Sequence, residues 1–163
     1  MKIDWTSFRR HWTRPKPNSF PVGSRVYKGF QGSGKTLSMV KYAFDIQKRF
    51  PDCIIYSNIR INGLNNYHFI ENDSDLVEGL QCRNGDRGVL VLLDEAHLYF
   101  NKKTGISLDV LTAISQQRKD RKRLVFSSQI WEELDISLRK QVKEIVSCRC
   151  FFHCIQFNQI VRL

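Results

Sequence analysis

Residues 29–36 read GFQGSGKT, and Gly29, Gly34, Lys35 and Thr36 satisfy the spacing G-x-x-x-x-G-K-[ST], with Gly32 a further glycine inside the loop. Glycines let consecutive backbone N–H groups turn inward and wrap a β-phosphate at a helix N-terminus, where the dipole favours negative charge. A lysine at the end of such a loop reaches the β and γ oxygens, and the following hydroxyl binds Mg²⁺. Gly29, Gln31, Gly32, Ser33, Gly34, Lys35 and Thr36 are therefore the candidate nucleotide contacts.

Binding a nucleotide is common to switches, kinases, hydrolases and motors, and the stretch VLVLLDEAH (residues 89–97) separates them. Asp94 closes an apolar run, where it can hold Mg²⁺ through water. Glu95 follows at once and can polarise an attacking water as general base for hydrolysis. A small-molecule kinase has no need to activate water, and a GTPase switch would carry an NKxD-type guanine reader, which is missing here. ATP with Mg²⁺ is the expected cofactor pair. The letters DEAH also occur in helicases, but those need two tandem domains that 163 residues cannot hold. His97 is accordingly read as a structural or coupling residue.

Gln129 ends the run RLVFSSQ, and an amide at that strand tip can sense or orient the attacking water. A lone domain with a catalytic Glu still lacks a cation for the transition-state charge, which an arginine from a neighbouring subunit could supply. Arg118, Arg121, Arg123 and Arg139 are available, with Arg118 and Arg139 the leading candidates. DNA phosphate contacts and plain solvated charge are the competing roles for these arginines. A finger in trans implies a head-to-tail assembly such as a ring.

The elements that must position these residues follow from hydrophobic periodicity. Residues 24–30 read as a buried strand feeding the glycine loop, and 34–50 as a helix with Leu37, Val40, Ala43 and Ile46 at helical spacing. Strands follow at 53–59, 88–96 and 123–129, with helices near 73–81, 107–120 and 133–144. Ser107 is the expected N-cap of the middle one, and 60–75 reads as a polar connection. Two β-rich runs, IVSCRCFFH and IQFNQIVRL, are expected to finish the sheet as an antiparallel pair. Alternating strands and helices imply an α/β three-layer sandwich on a mainly parallel sheet, with the ligand at the carboxyl ends of the strands.

Composition agrees with one soluble globular domain, at 42% apolar and 12% aromatic residues. No apolar run reaches the length of a membrane span, and the N-terminus carries no secretory signal, so the chain is expected to be neither secreted nor membrane-spanning. Residues 1–22 read as a basic, aromatic, proline-punctuated arm, and 23–163 as the nucleotide-binding domain. Net charge is +10, from 26 Lys and Arg against 16 Asp and Glu, concentrated in SFRRHWTRPKP and RKDRKRL. Such clusters favour an anionic partner, nucleic acid first. The five cysteines form no CxxC pair; CRCFFHC (residues 148–154) is the one local group resembling a zinc site, and reduced core thiols are expected instead.

The order GFQGSGKT, IIYSNIRI with Asn58 at its strand end, VLLDEAHLYF, ISQQRKDRKRLVFSSQ and ELDISLRKQV resembles the ATPase domain of zonular-occludens-toxin-like proteins. Those are assembly ATPases of filamentous phages, grouped with the FtsK/HerA superfamily of DNA-pumping motors and virus-packaging ATPases. The resemblance covers residues 25–147. It implies that Lys35, Thr36, Asp94, Glu95 and Gln129 take nucleotide roles, and that Arg118 matches the basic position after the third helix. It further implies a RecA/FtsK-like fold and a homo-oligomeric ring, hexamer or pentamer. The expected activity is ATP-driven translocation or packaging of viral or mobile-element DNA. The other activity it allows is extrusion of virions, acting on virion or membrane-associated assembly proteins. The implied location is the host-cell cytoplasm, with recruitment to a virion vertex or the inner membrane face. For the C-terminus it leaves two alternatives, a compact soluble relative or a truncation before a membrane span.

Overall fold

The computed structural model describes residues 19–100, 108–117, 119–151 and 155–163. Along the chain these form β1 (Gly23–Lys28), α1 (Lys35–Arg49), β2 (Ile54–Ser57), β3 (Tyr67–Phe69), α2 (Asp73–Gln81) and β4 (Val89–Leu93). They continue as α3 (Leu108–Ser115), β5 (Lys122–Ser128), α4 (Ile136–Gln141), β6 (Val142–Phe151) and β7 (Ile155–Arg162). The seven strands among the described residues make one sheet in the order β3-β2-β4-β5-β1-β6-β7. Every neighbouring pair is parallel except β6 and β7.

β4 is VLVLL and all five residues are buried, as a central parallel strand covered on both faces requires. On one face Met39, Ala43 and Ile46 of α1 pack on Tyr27, Ile55, Leu90, Leu92 and Val125. On the other, Leu76 and Leu80 of α2, Val110 and Ile114 of α3 and Leu138 of α4 cover Val26, Val91, Leu93, Leu124 and Phe126. These are the three layers expected from the alternation of elements. Within α1 the inward row is Met39, Ala43 and Ile46, while Leu37 is turned out to solvent.

Several boundaries differ from the sequence reading. The strand expected through 96 ends at Leu93, where the chain turns into the 3₁₀ turn Ala96–Leu98. β3 lies inside the polar connection, where three residues pair with Ile55 to Ser57 at the sheet edge. α3 ends at Ser115, and its expected N-cap Ser107 lies outside the described residues. α4 stops at Gln141, because Val142 already pairs with Ser24 of β1 and the following residues belong to the sheet. The antiparallel β6–β7 pair appears as expected. α2 opens with a capping box, in which the Asn72 side chain accepts from Asp75 N and the Asp75 carboxylate accepts from Asn72 N. Of the N-terminal arm, residues 1–18 lie outside the described residues. Phe20 is buried edge-on against Phe50 with ring centroids 5.2 Å apart, and a Cβ on Gly88 would run into its ring.

The starts of the strands, at the end of the sheet away from the glycine loop, hold a buried ion cluster. Glu144 Oε2 accepts from Arg25 Nε at 2.7 Å and from Arg123 Nη2. Both guanidiniums lie over the Tyr42 ring, and Arg123 Nε donates to the Tyr42 hydroxyl at 3.1 Å. Arg123, a possible anion contact by sequence, is thus spent internally, with only 3% of its side chain exposed. Burial would raise the Glu144 pKa, but the Arg123 and Arg25 cations more than reverse this and hold it below the usual carboxylate value. A depressed folded pKa contributes stability that is fully present above the unfolded value of about 4.3 and lost as pH falls through the lower folded value. Glu144→Gln removes the carboxylate from the buried Arg123 and the half-buried Arg25 and is expected to lower unfolding free energy at neutral pH by about 1–3 kcal/mol. In denaturant titrations the gap to wild type should close as pH drops below about 4.

Candidate functional site

The parallel register brings the ends of β1, β2, β4 and β5 to one end of the sheet, where the glycine loop, Lys35, Thr36, Asp94, Glu95 and Gln129 gather. The loop after β1 turns through Gly32 (φ 75°) and Gly34 (φ 79°), left-handed conformations that glycine adopts freely. α1 starts at Lys35, so its first N–H groups face the loop. Gln31 and Gly32 are exposed on the loop, and Ser33 is buried beneath them. Lys35 is only 7% exposed, and its Nζ donates to the carbonyls of Gly29 at 3.0 Å and Phe30 at 2.9 Å. The ammonium is thus folded into the cradle, within reach of a phosphate placed there.

Asp94 and Glu95 project from the end of β4. Thr36 Oγ1 donates to Asp94 Oδ2 at 2.7 Å, so the two oxygens proposed to share Mg²⁺ already face each other. A hydroxyl and one carboxylate, with phosphate oxygens completing the set, are the hard donors Mg²⁺ prefers, and the residues fit that ion. Glu95 has φ 51°, a left-handed conformation that disfavours a residue with a Cβ. Ser127 of β5 holds it there, accepting from Glu95 N at 2.8 Å while its own hydroxyl donates to Asp94 Oδ1. Gln129 Nε2 donates to Glu95 Oε1 at 3.0 Å, fixing the carboxylate from the neighbouring strand tip. β5 lies between β4 and β1, which is why its last residues face both the acid pair and the loop.

Two positioning residues stand outside the phosphate-loop and acid-pair motifs. Asn58, just past β2, accepts from Asp94 N at 2.8 Å and donates to Asp94 O at 2.9 Å. Ser127 is the other. Their signal was present in retrospect, as polar residues closing buried β-branched and aromatic runs, but their partners are set by strand register. His97 sits in the 3₁₀ turn Ala96–Leu98 that follows the acids.

Among the described residues, Arg121, Arg123 and Arg139 make no bond to the acid pair or the loop. Arg139 is on α4, which runs into Val142, the residue paired with Ser24 at the far end of β1. Its Nε is buried without a hydrogen-bond partner among the described residues. Arg118 lies outside the described residues. Arg121 pairs with Asp86 at 3.1 Å. Cys53 and Cys148 are buried free thiols, and burial pushes Cys53 up to about 11. His153 and Cys154 of the one zinc-like stretch lie outside the described residues.

A glycine cradle after the first strand, an acid pair ending the fourth and a strand inserted between them define a P-loop ATPase of the three-layer α/β type. A sequence model of the zonular occludens toxin (Zot) family matches residues 25–151. The chain belongs to that family. No curated protein sequence matches it significantly. Among solved structures it is similar to the N-terminal domain of zonular occludens toxin from Neisseria meningitidis, at 19% identity and TM-score 0.62 over 86% of this chain and 94% of that one. It is likewise similar to the genome packaging NTPase B204 from Sulfolobus turreted icosahedral virus 2 in complex with ATP-gammaS. That match has 16% identity and TM-score 0.61 over 82% of this chain and 76% of that one. At these identities the likeness establishes the fold. Among the described residues no helix is long and apolar enough to cross a membrane.

The Asn58 clamp can be tested directly. Asn58→Ala leaves the Asp94 backbone N–H and C=O without their partner, which should lower stability by about 1–3 kcal/mol in denaturant titrations. An unchanged midpoint would show that the clamp carries no weight.

Proposed function

We propose that this chain hydrolyses Mg·ATP and uses the energy to move viral or mobile-element DNA, into a capsid or through an assembly site. The single observation that carries the reading is the side-chain set at the end of β4. Asp94 is bonded to Thr36 beside the cradle, and Glu95 is locked at the mouth by Ser127 and Gln129. Lys35 leaves the carbonyls of Gly29 and Phe30 for the β and γ oxygens when a triphosphate enters. Thr36 and Asp94 would hold Mg²⁺, which would supply neutralising charge for the phosphates. Glu95 takes a proton from the attacking water, and the Gln129 amide keeps its carboxylate aimed at that position.

Among the described residues no arginine bonds Asp94 or Glu95, and in this reading a neighbouring subunit in a ring supplies the transition-state cation, through Arg118 or Arg139. The similar structure in complex with ATP-gammaS is a genome packaging NTPase, which supports nucleotide use and a packaging role. The net charge of +10 supports DNA as the moved polymer. The place of action in this reading is the host cytoplasm, at a virion vertex or an inner membrane face.

A second reading, extrusion of a virion by an assembly ATPase acting on proteins, is favoured by exposed apolar residues on the edge strand β7. There Phe157 and Val161, on one face of the strand, are 60% and 45% exposed. DNA dependence separates the two. Under assembled conditions, Glu95→Gln is expected to retain ATP binding and to slow hydrolysis on the order of 10²–10⁴-fold. Wild-type turnover is expected to rise with added duplex DNA and to lose that stimulation steeply with salt. Equal turnover by wild type and Glu95→Gln would refute the hydrolase; turnover indifferent to DNA would favour extrusion.

A further inference from the structure

The helical layer of α2, α3 and α4 covers its side of the sheet only as far as Ile145 of β6, which packs against it. Alternation along the strand puts Ser147, Arg149 and Phe151 further along on that same face. The antiparallel register sets Gln159, Phe157 and Ile155 of β7 opposite them. Together these residues line an open groove of about 690 Å³ along the hairpin.

Rings and cations alternate on this surface. Phe151 and Phe157 are 48% and 60% exposed, an edge-on pair with ring centroids 5.8 Å apart. Arg149 is exposed, lies opposite Phe157 and is two residues from Phe151, so it neighbours both rings. Lys28, which closes β1, stands opposite Ser147 and shares the face of Val26, two residues before it. Neither cation has an acidic partner among the described residues. The one carboxylate of β6 and β7, Glu144, is on the other face, where Arg25 and Arg123 hold it.

A surface that buried only apolar area would suit a protein. Exposed rings interleaved with unpaired cations instead take a base on the ring and its phosphate on the cation. Bases in a duplex are stacked on one another and offer no face to a side chain, so the surface selects unpaired strands.

The other side of the same hairpin is fastened to the phosphate loop. Gln156 of β7 donates to Gly34 O at 2.7 Å and to Ser38 Oγ, and Asn158 Nδ2 donates to the same Ser38 Oγ at 2.9 Å. A Cβ on Gly34 would sit 2.6 Å from the Gln156 amide, so the last glycine of the loop also makes room for the hairpin. Whatever lies in the groove is therefore carried by an element that braces the cradle.

We propose that this groove binds a single-stranded nucleic acid, with unpaired bases stacked on Phe151 and Phe157 and backbone phosphates on Arg149 and Lys28. This assignment rests on the reading of the chain as a motor acting on DNA, and it names where an unpaired strand is held.

The test titrates the full chain against two labelled probes by fluorescence anisotropy, a thymidine oligomer of about twelve nucleotides and a duplex of the same length. Phe157→Leu removes the ring but keeps an apolar side chain at an exposed position, so the fold is not threatened. It should weaken the single strand about fivefold or more and leave the duplex within about twofold of wild type. Phe157→Trp should restore single-strand binding. Arg149→Gln should weaken the single strand and reduce the slope of log affinity against log salt by about 0.7. Single-strand binding at wild-type strength in both Phe157→Leu and Arg149→Gln would overturn the groove and leave the motor reading intact. An equal loss of single strand and duplex in Phe157→Leu would also overturn it, since stacking on unpaired bases would not be the cause. Wild-type protein that binds the duplex alone would overturn the groove, and wild-type protein that binds neither probe would overturn the DNA reading with it.

Discussion

One hydroxyl organises the chemistry of this molecule. Ser127 accepts from the Glu95 backbone N–H and donates to the Asp94 carboxylate, so a single atom sets the direction of both acids. It can do so only because β5 is inserted between β4 and β1, with Leu93 opposite Phe126 and Tyr27 opposite Ser127. Displace that strand by one residue and its side chains exchange faces, turning the hydroxyl away from the acids. The left-handed backbone at Glu95 is the visible sign of this constraint, a local strain of roughly 1–2 kcal/mol held by the surrounding bonds.

The rest of the fold keeps that register. β4 and β5 are buried along their whole length, so apolar packing on both faces fixes their relative position. At the opposite end of the sheet Glu144 binds arginines from β1 and β5 together, linking three strands by charge. Beside the loop, Gln156 and Asn158 bring the C-terminal hairpin onto Ser38 of α1. The cradle is therefore braced on both sides, by β5 toward the acids and by the hairpin toward the groove.

Much of this was legible in the residues. The phosphate loop, the apolar β4 with its acids and the tip residue Gln129 are local patterns, because each depends on short-range spacing and periodicity. β3 was hidden because three residues at a sheet edge, YHF within a polar stretch, show no useful alternation. The helix expected through 144 was too long because VKEIVSC is compatible with either period, and pairing with β1 decides for strand. The partners of Asn58 and Ser127 were unreadable in principle, since they depend on register between strands more than thirty residues apart. Gln156, 122 residues from Gly34, is a still longer-range case of the same limit.

The most direct test of this account is rapid-quench, single-turnover cleavage of bound Mg·ATP by wild type, Ser127→Ala and Ser127→Thr under assembled conditions. The account predicts that Ser127→Ala binds ATP as tightly as wild type but cleaves it on the order of tenfold to a hundredfold more slowly. Ser127→Thr, which keeps the hydroxyl, should recover most of the rate. Cleavage by Ser127→Ala at the wild-type rate would contradict it.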